Sequence, residues 1–206
     1  MSSGQICMDV KRIYVHEKIY DKFRDSFVDF VKNSIKTGPA TADDESNLIG
    51  PVQNSMQFGK VLDLYSEIAK QGWKTAYGGD PGKPANGFLI QPAIIDNPPE
   101  DSRIVQEEPF GPIVPLLKWS DEDNVIARAN DTKMGLGASV WSQDIERGER
   151  IRDQLEAGSV WLNTHFELSP LVPFGGHKWS GLGMEWGIVG LKGWCNPQSQ
   201  WLRKKM

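Results

Sequence analysis

Apolar residues recur along the chain with two distinct periods, and each period predicts an element. Ile13 and Val15 alternate with Arg12, Tyr14 and His16, the two-residue period of a half-buried strand. From Glu17 to Ile35 the spacing changes to three and four. Ile19, Phe23, Phe27, Phe30, Val31 and Ile35 then share one helical face, and Gly38-Pro39 ends the run. A polar loop through Asp43, Asp44 and Glu45 leads to a second amphipathic helix, Gln53 to Lys70, which turns Val61, Leu64, Tyr65 and Ile68 inward and stops at Gly72. Strands are predicted from Trp73 to Tyr77 and from Phe88 to Ile95, on either side of the turn cluster Gly78-Gly79-Asp80-Pro81-Gly82. A further strand runs from Ile113 to Trp119, where Pro115 lacks an N–H and so predicts a sheet edge or a bulge. Ser120 is placed to cap a helix that buries Val125, Ile126 and Ala129, with Asp123 in the capping-box position.

The next forty residues spell strand, helix, strand: Gly137 to Trp141, Asp144 to Glu156, and Gly158 to Asn163. The tripeptide Ser-Val-Trp occurs at 139–141 and again at 159–161, which fits neighbouring parallel strands with the same face inward. Helices interleaved with strands predict an α/β fold with a mostly parallel twisted sheet and flanking helices. Beyond Asn163 the chain becomes irregular, and glycines 175, 176, 181, 183, 187, 190 and 193 separate short apolar pieces. A long loop of this kind points to function, because packing alone does not require it. Gln198 to Arg203 has the pattern of an exposed edge strand, of the type that joins a partner subunit.

Charge and composition mainly exclude. A net charge of −4 offers no electrostatic reason to bind nucleic acid or an anionic membrane surface. No apolar run approaches the ~20 residues of a membrane helix. The two cysteines, Cys7 and Cys195, lie at opposite ends of the chain and spell neither a disulfide framework nor a metal knuckle, which favours a reducing, cytoplasmic setting. Histidines 16, 165 and 177 are scattered, so no metal site is predicted; His177 is read as structural. Gly181-Leu182-Gly183 has the wrong spacing for a dinucleotide fingerprint, and no phosphate-binding loop is present.

Taken alone, Cys7 is a small residue beside a strand, and such residues are more often packed than reactive. Its context changes that. Gly4-Gln5-Ile6-Cys7 resembles the Gly-Gln-x-Cys segment that holds the nucleophile of the aldehyde dehydrogenase superfamily. Gln106-Glu107-Glu108-Pro109-Phe110-Gly111-Pro112 is similar to that family's Glu-x-Phe-Gly-Pro signature. The segment Pro173 to Gly181 is similar to its Pro-Phe-Gly-Gly-x-Lys-x-Ser-Gly block. The resemblance runs from Gly4 to the C-terminus. It implies a catalytic domain over 4–195 and an oligomerisation-type strand and tail over 196–206, and hence a homo-oligomer.

The resemblance also implies roles. Cys7 is the expected nucleophile toward an aldehyde, with its backbone N–H as one oxyanion donor. Glu108 matches the carboxylate that holds the nicotinamide ribose of NAD or NADP, and Phe110 the aromatic beside the ring. The loop His165 to Pro173 corresponds to the mouth of the substrate tunnel, where Phe166, Leu168 and Leu171 either contact an aldehyde's tail or pack the loop down, and Phe174 is expected to line the same tunnel. Lys178 and the neighbouring glycines are expected to fix backbone geometry. By the same comparison this sequence lacks the nucleotide-binding domain, the asparagine that completes the oxyanion hole and the glutamate that activates water. The expectation is therefore little or no aldehyde oxidation by these 206 residues alone, and weak or absent dinucleotide binding. The alternative reading is a non-catalytic interaction or oligomerisation module that keeps the fold.

Overall fold

The computed structural model describes residues 2–39, 46–82 and 87–205; the predicted loop at Asp43 to Glu45 lies outside them. The chain gathers into two compact units, 1–128 and 129–206.

The first unit contains β1 (Ile13–His16), α1 (Glu17–Ser34), α2 (Ser55–Gln71), β2 (Thr75–Tyr77), β3 (Ala93–Asp96), α3 (Arg103–Gln106), β4 (Ile113–Trp119) and most of α4 (Glu122–Asn130). Its four-stranded sheet has the order β1-β4-β3-β2, with β1, β4 and β3 parallel and β2 antiparallel to β3. The pleat sorts the side chains to two faces. Ile95, Ile113 and Leu117 pack with Val61, Tyr65 and Ile68 of α2. Ile94, Leu116 and Val15 pack with Tyr20 and Val31 of α1. The predicted α/β class holds, with a sheet sandwiched between helices.

Helix α2 starts two residues later than expected, after its Asn54 cap, and stops at Gly72 as expected. The Asn54 side chain accepts from Gln57 N at 2.9 Å, and Gly72 closes the helix in the left-handed region at φ 65°. Helix α1 is rotated from its expectation. Tyr20 and Val31 are buried, and Phe27 and Ile35 are half-buried. Ile19, Phe23 and Phe30, assigned to the inner face, remain 56, 37 and 55% exposed. The cause is the Tyr20 hydroxyl, which donates to Asp96 Oδ1 at 2.6 Å and lies 3.4 Å from Leu116 O, so the aromatic residue next to Ile19 enters the core.

Three further expectations are corrected. Strand β4 is an inner strand and Pro115 is fully buried in it. The carbonyls of Pro112 and Leu116 accept from Ala93 N and Asn97 N on the β3 side. By alternation Pro115 faces β1, whose pairing begins only at Leu116, so the missing N–H falls at the end of that ladder. The segment Phe88 to Pro92 is irregular, and the strand starts only at Ala93; Gln91 N instead donates to Pro81 O across the turn. The α4 cap is Asp121 rather than Ser120, its Oδ1 accepting from Asn124 N at 2.8 Å.

The second unit contains β5 (Met134–Gly135), β6 (Gly137–Val140), α5 (Ile145–Arg152), β7 (Ser159–Leu162), β8 (His177–Lys178) and α6 (Gly187–Gly193). Strands β6 and β7 are parallel, as expected of a βαβ unit, and Asp144 caps α5 by accepting from Arg147 N. The repeated tripeptides are offset by two residues, with Ser139 opposite Trp161. A shift of two preserves the face, so the pleat stays in phase. The glycine-rich segment expected to be irregular contains helix α6, and Gly190 sits where a Cβ would come within 2.5 Å of Glu185 C. Gln198 to Arg203 forms no strand, with Trp201 and Leu202 94 and 84% exposed. A strand needs another strand to complete its hydrogen bonds, and none pairs with this segment here.

Candidate functional site

The loop ahead of β1 turns tightly around Cys7. Gln5 N donates to Ser2 O, Asp9 N donates to Ile6 O, and Ile6 N donates to Asp9 Oδ2. Cys7 stands on this loop as an exposed free cysteine, outside the packed core. Gly4, at φ 73°, lies against the backbone of Gly111, placing the Gly-Gln-x-Cys segment against the Glu-x-Phe-Gly-Pro segment from more than a hundred residues later.

That second segment is held from both sides. Gln57 of α2 donates through Nε2 to Pro109 O at 2.9 Å and Phe110 O at 3.0 Å, and Val61 fills the space beside Gly111. Lys60 Nζ reaches Glu108 O at 3.3 Å. Arg103 bridges Glu107, Asp63 and Glu67. Its hydrogen bonds hold the Glu107 carboxyl below the usual carboxylate range. Phe110 adopts a left-handed φ of 49°, uncommon for a bulky residue and affordable only because its surroundings over-determine it. A cleft of about 490 Å³ opens beside it, lined by Ser2, Ser3, Gln5, Gly50, Pro51, Gln53 and Phe110.

One side chain unseen in the sequence joins these pieces. Lys11 Nζ lies 2.9 Å from Ile6 O, 3.2 Å from Asp9 O and 3.2 Å from Glu108 Oε1, and 5.1 Å from the centre of the Phe110 ring. The Cys7 loop, Glu108 and Phe110 therefore meet at a common ammonium. Lys11 and Gln57 escaped sequence reading because their partners are remote in sequence and belong to no pattern that either residue displays.

The remaining candidates belong to the second unit. Phe166, at a left-handed φ of 67°, and Leu168 are both 41% exposed, on a loop tied down by Trp161 Nε1 donating to Glu167 O at 2.9 Å. Phe174 is half-buried. Its backbone pairs with Glu185 in an antiparallel bridge, and its ring lies 5.3 Å from that of Trp186. Lys178 Nζ reaches Asn130 O and Glu156, a structural tie of the kind expected of it. His177 lies in β8, opposite Gly135. Among the described residues no group of three His, Cys, Asp or Glu side chains is placed to hold a metal ion, and no helix is long and apolar enough to cross a membrane.

A mostly parallel α/β sheet, preceded by an exposed cysteine on a loop whose Gly4 lies against a Glu-Pro-Phe-Gly-Pro loop, defines a class that comparison identifies. Residues 1–200 match the aldehyde dehydrogenase family, and the chain belongs to it. A betaine aldehyde dehydrogenase of Brucella anthropi is 40% identical over 194 residues, covering 92% of this chain and 39% of the relative. Among solved structures, the NAD+ complex of aldehyde dehydrogenase from Bacillus cereus superposes with a TM-score of 0.90 at 33% identity, over 98% of this chain and 40% of that one. An apo betaine aldehyde dehydrogenase mutant from Staphylococcus aureus, carrying a BME-modified cysteine, superposes with a TM-score of 0.86 at 33% identity, over 98% and 42%. The chain thus spans about two fifths of the length of the relatives it matches.

Proposed function

We propose that these residues are the nucleophile-bearing, catalytic-domain part of an NAD(P)-dependent aldehyde dehydrogenase, and that Cys7 carries the reaction. The single observation behind the reading is the convergence at Lys11 of the Cys7 loop, Glu108 and Phe110. The Cys7 thiolate adds to the aldehyde carbon; a C–S bond forms and the carbonyl π pair moves to oxygen. The Cys7 backbone N–H is the expected donor to the developing oxyanion. Loss of hydride from that carbon leaves a thioester on Cys7, and water then releases the carboxylic acid and returns the thiol.

NAD or NADP, when bound, supplies the hydride acceptor. The residues present fit such a group: Glu108 has one oxygen on Lys11 and a carboxylate has about four acceptor sites, so capacity remains for ribose hydroxyls. Phe110 offers an aromatic wall to the cleft. The relative from Bacillus cereus is solved with NAD+, which supports the same cofactor family here. The half-exposed Phe166 and Leu168, with Phe174, suit the apolar part of an aldehyde. Gln198 to Arg203, exposed and unpaired, suits addition to a sheet of a second copy. The second oxyanion donor and the water-activating base have no matching motif in these 206 residues. The stretch alone is therefore expected to turn over little, since one such donor is worth ~10²–10³ in rate.

The test is Cys7→Ser in the intact protein, assayed for NAD-linked oxidation of an aldehyde panel. Loss of at least about 10³-fold in kcat is expected, with dinucleotide binding retained. Activity kept within tenfold would overturn the assignment of Cys7.

A further inference from the structure

We infer that Lys11 is a positioning residue that holds the Cys7 loop and the Glu108 carboxylate in one arrangement. The inference rests on the reading of Cys7 and Glu108 given above and adds a residue to it. An ammonium has three N–H donors, and Lys11 Nζ faces three oxygens: Ile6 O at 2.9 Å, Asp9 O at 3.2 Å and Glu108 Oε1 at 3.2 Å. The same nitrogen lies 5.1 Å from the centre of the Phe110 ring, a cation–π distance. A lysine placed only for solubility would extend into water. This one is 22% exposed and is saturated by groups from two segments about a hundred residues apart in sequence.

The two carbonyls lie on either side of Cys7: Ile6 directly precedes it and Asp9 is two residues beyond. Anchoring both fixes the curvature of the loop that carries the sulfur, while the third contact ties one oxygen of Glu108 to the same nitrogen. The same charge draws the Phe110 ring toward it. Lys11 therefore links the nucleophile loop to the proposed cofactor carboxylate, although it touches neither the sulfur nor any reacting atom. Lysine's flexible stem and three divergent donors suit a tripod of this kind; a planar guanidinium would satisfy part of it.

The experiment uses the intact protein with Lys11→Met, Lys11→Arg, Glu108→Gln and the Lys11→Met/Glu108→Gln double variant; Lys11→Gln takes the place of Lys11→Met in the same assays if the latter does not fold. NAD affinity is read from quenching of tryptophan fluorescence. Iodoacetamide labelling of Cys7 is read by mass spectrometry, with Cys195 as the internal reference. Lys11→Met and Glu108→Gln are each expected to weaken NAD about tenfold, and the double variant no more than about twofold beyond either, because coupled residues are not additive. Lys11→Arg should recover most of the affinity. Lys11→Met should also change the Cys7 to Cys195 labelling ratio at least about threefold, whereas Glu108→Gln should move it less than about twofold, since only the lysine holds the loop carbonyls. Effects on NAD that multiply to about a hundredfold, or an unchanged labelling ratio in Lys11→Met, would overturn the inference. Should Glu108→Gln leave NAD affinity intact, the cofactor reading of Glu108 fails, and the labelling ratio alone then decides the role of Lys11.

Discussion

Gly4 and Gly111 meet backbone to backbone: a Cβ built on Gly4 would stand 2.4 Å from Gly111 O, and Gly4 holds a φ of 73° that disfavours side chains. Both constraints act at the contact between the two segments that resemble family signatures. Gly4→Ala is therefore expected to cost about 2 kcal/mol or more, strain and overlap combined. Urea unfolding measures this, and iodoacetamide labelling should show Cys7 losing any preference over Cys195. A variant as stable as the parent would mean that the two segments are not held together at this point.

Gln57 places the signature loop through two donations from one amide nitrogen. Gln57→Leu removes both and leaves the carbonyls of Pro109 and Phe110 without that donor, a loss of about 1–2 kcal/mol. Gln57→Glu should be worse at pH 7, because an ionised carboxylate cannot donate and faces two carbonyl oxygens. Lowering the pH to 4 should narrow the gap between the two variants. Equal stability at both pH values would indicate that the amide does not hold the loop.

Gly158 and Gly175 give the second unit a comparable contact. A Cβ on Gly158 would fall 1.7 Å from Gly175 O, the backbone of the Pro-Phe-Gly-Gly block, just before β7 begins. Gly158→Ala must displace main chain and not a flexible side chain. A loss of about 3 kcal/mol, at the upper end of ordinary overpacking, is expected in thermal or urea unfolding. Gly59→Ala is the control, since nothing lies within 4 Å of its Cβ position, and it should be neutral or stabilising within about 1 kcal/mol.

Alkaline pH should weaken the first unit. Burial pushes the phenols of Tyr14, Tyr20 and Tyr65 well above their ordinary value of 10.0, and hydrogen bonds to Glu100 and Asp96 push Tyr14 and Tyr20 further. The neutral phenol is favoured in the folded state, so above pH 10 the unfolded chain binds fewer protons than the folded one. Stability is then fully present below pH 10 and falls as pH rises beyond it. The urea midpoint, followed from pH 9 to 12, should decline. Tyr65→Phe, which removes the hydroxyl that donates to Gln91 O and lies 3.3 Å from Pro112 O, should start lower and decline less steeply. Parallel profiles for the two proteins would contradict the burial argument.

Much of the architecture was legible because its signals are local. The α2 face, the Gly72 cap, the turn glycines and the β6-α5-β7 order all follow from periodicity and from residues within a few positions of one another. The orientation of α1 was not legible: Ile19, Phe23 and Phe30 form a better apolar stripe than the one buried, and only the acceptors Asp96 and Leu116 explain why Tyr20 turns inward. Pro115 shows the same limit. A missing N–H excludes a bond, but which neighbour would have received it depends on where β1 starts to pair. The exposed Gln198 to Arg203 segment carries strand chemistry, yet a strand exists only with a partner for its ladder.

The candidate site divides along the same line. Cys7, Glu108, Phe110 and the loop around Phe166 to Phe174 were named from motifs, because short segments with constrained backbones are written in contiguous letters. Which of them share a charge, and through which side chain, was settled by the fold. Lys11 reaches Glu108 across 97 positions, and no local pattern encodes an ion pair whose members are brought together only when β1 and β4 lie side by side. Sequence alone determined the family, since its signature segments are contiguous runs of residue types. Tertiary structure decided the electrostatic wiring, since Coulomb interactions depend on distances that only packing sets.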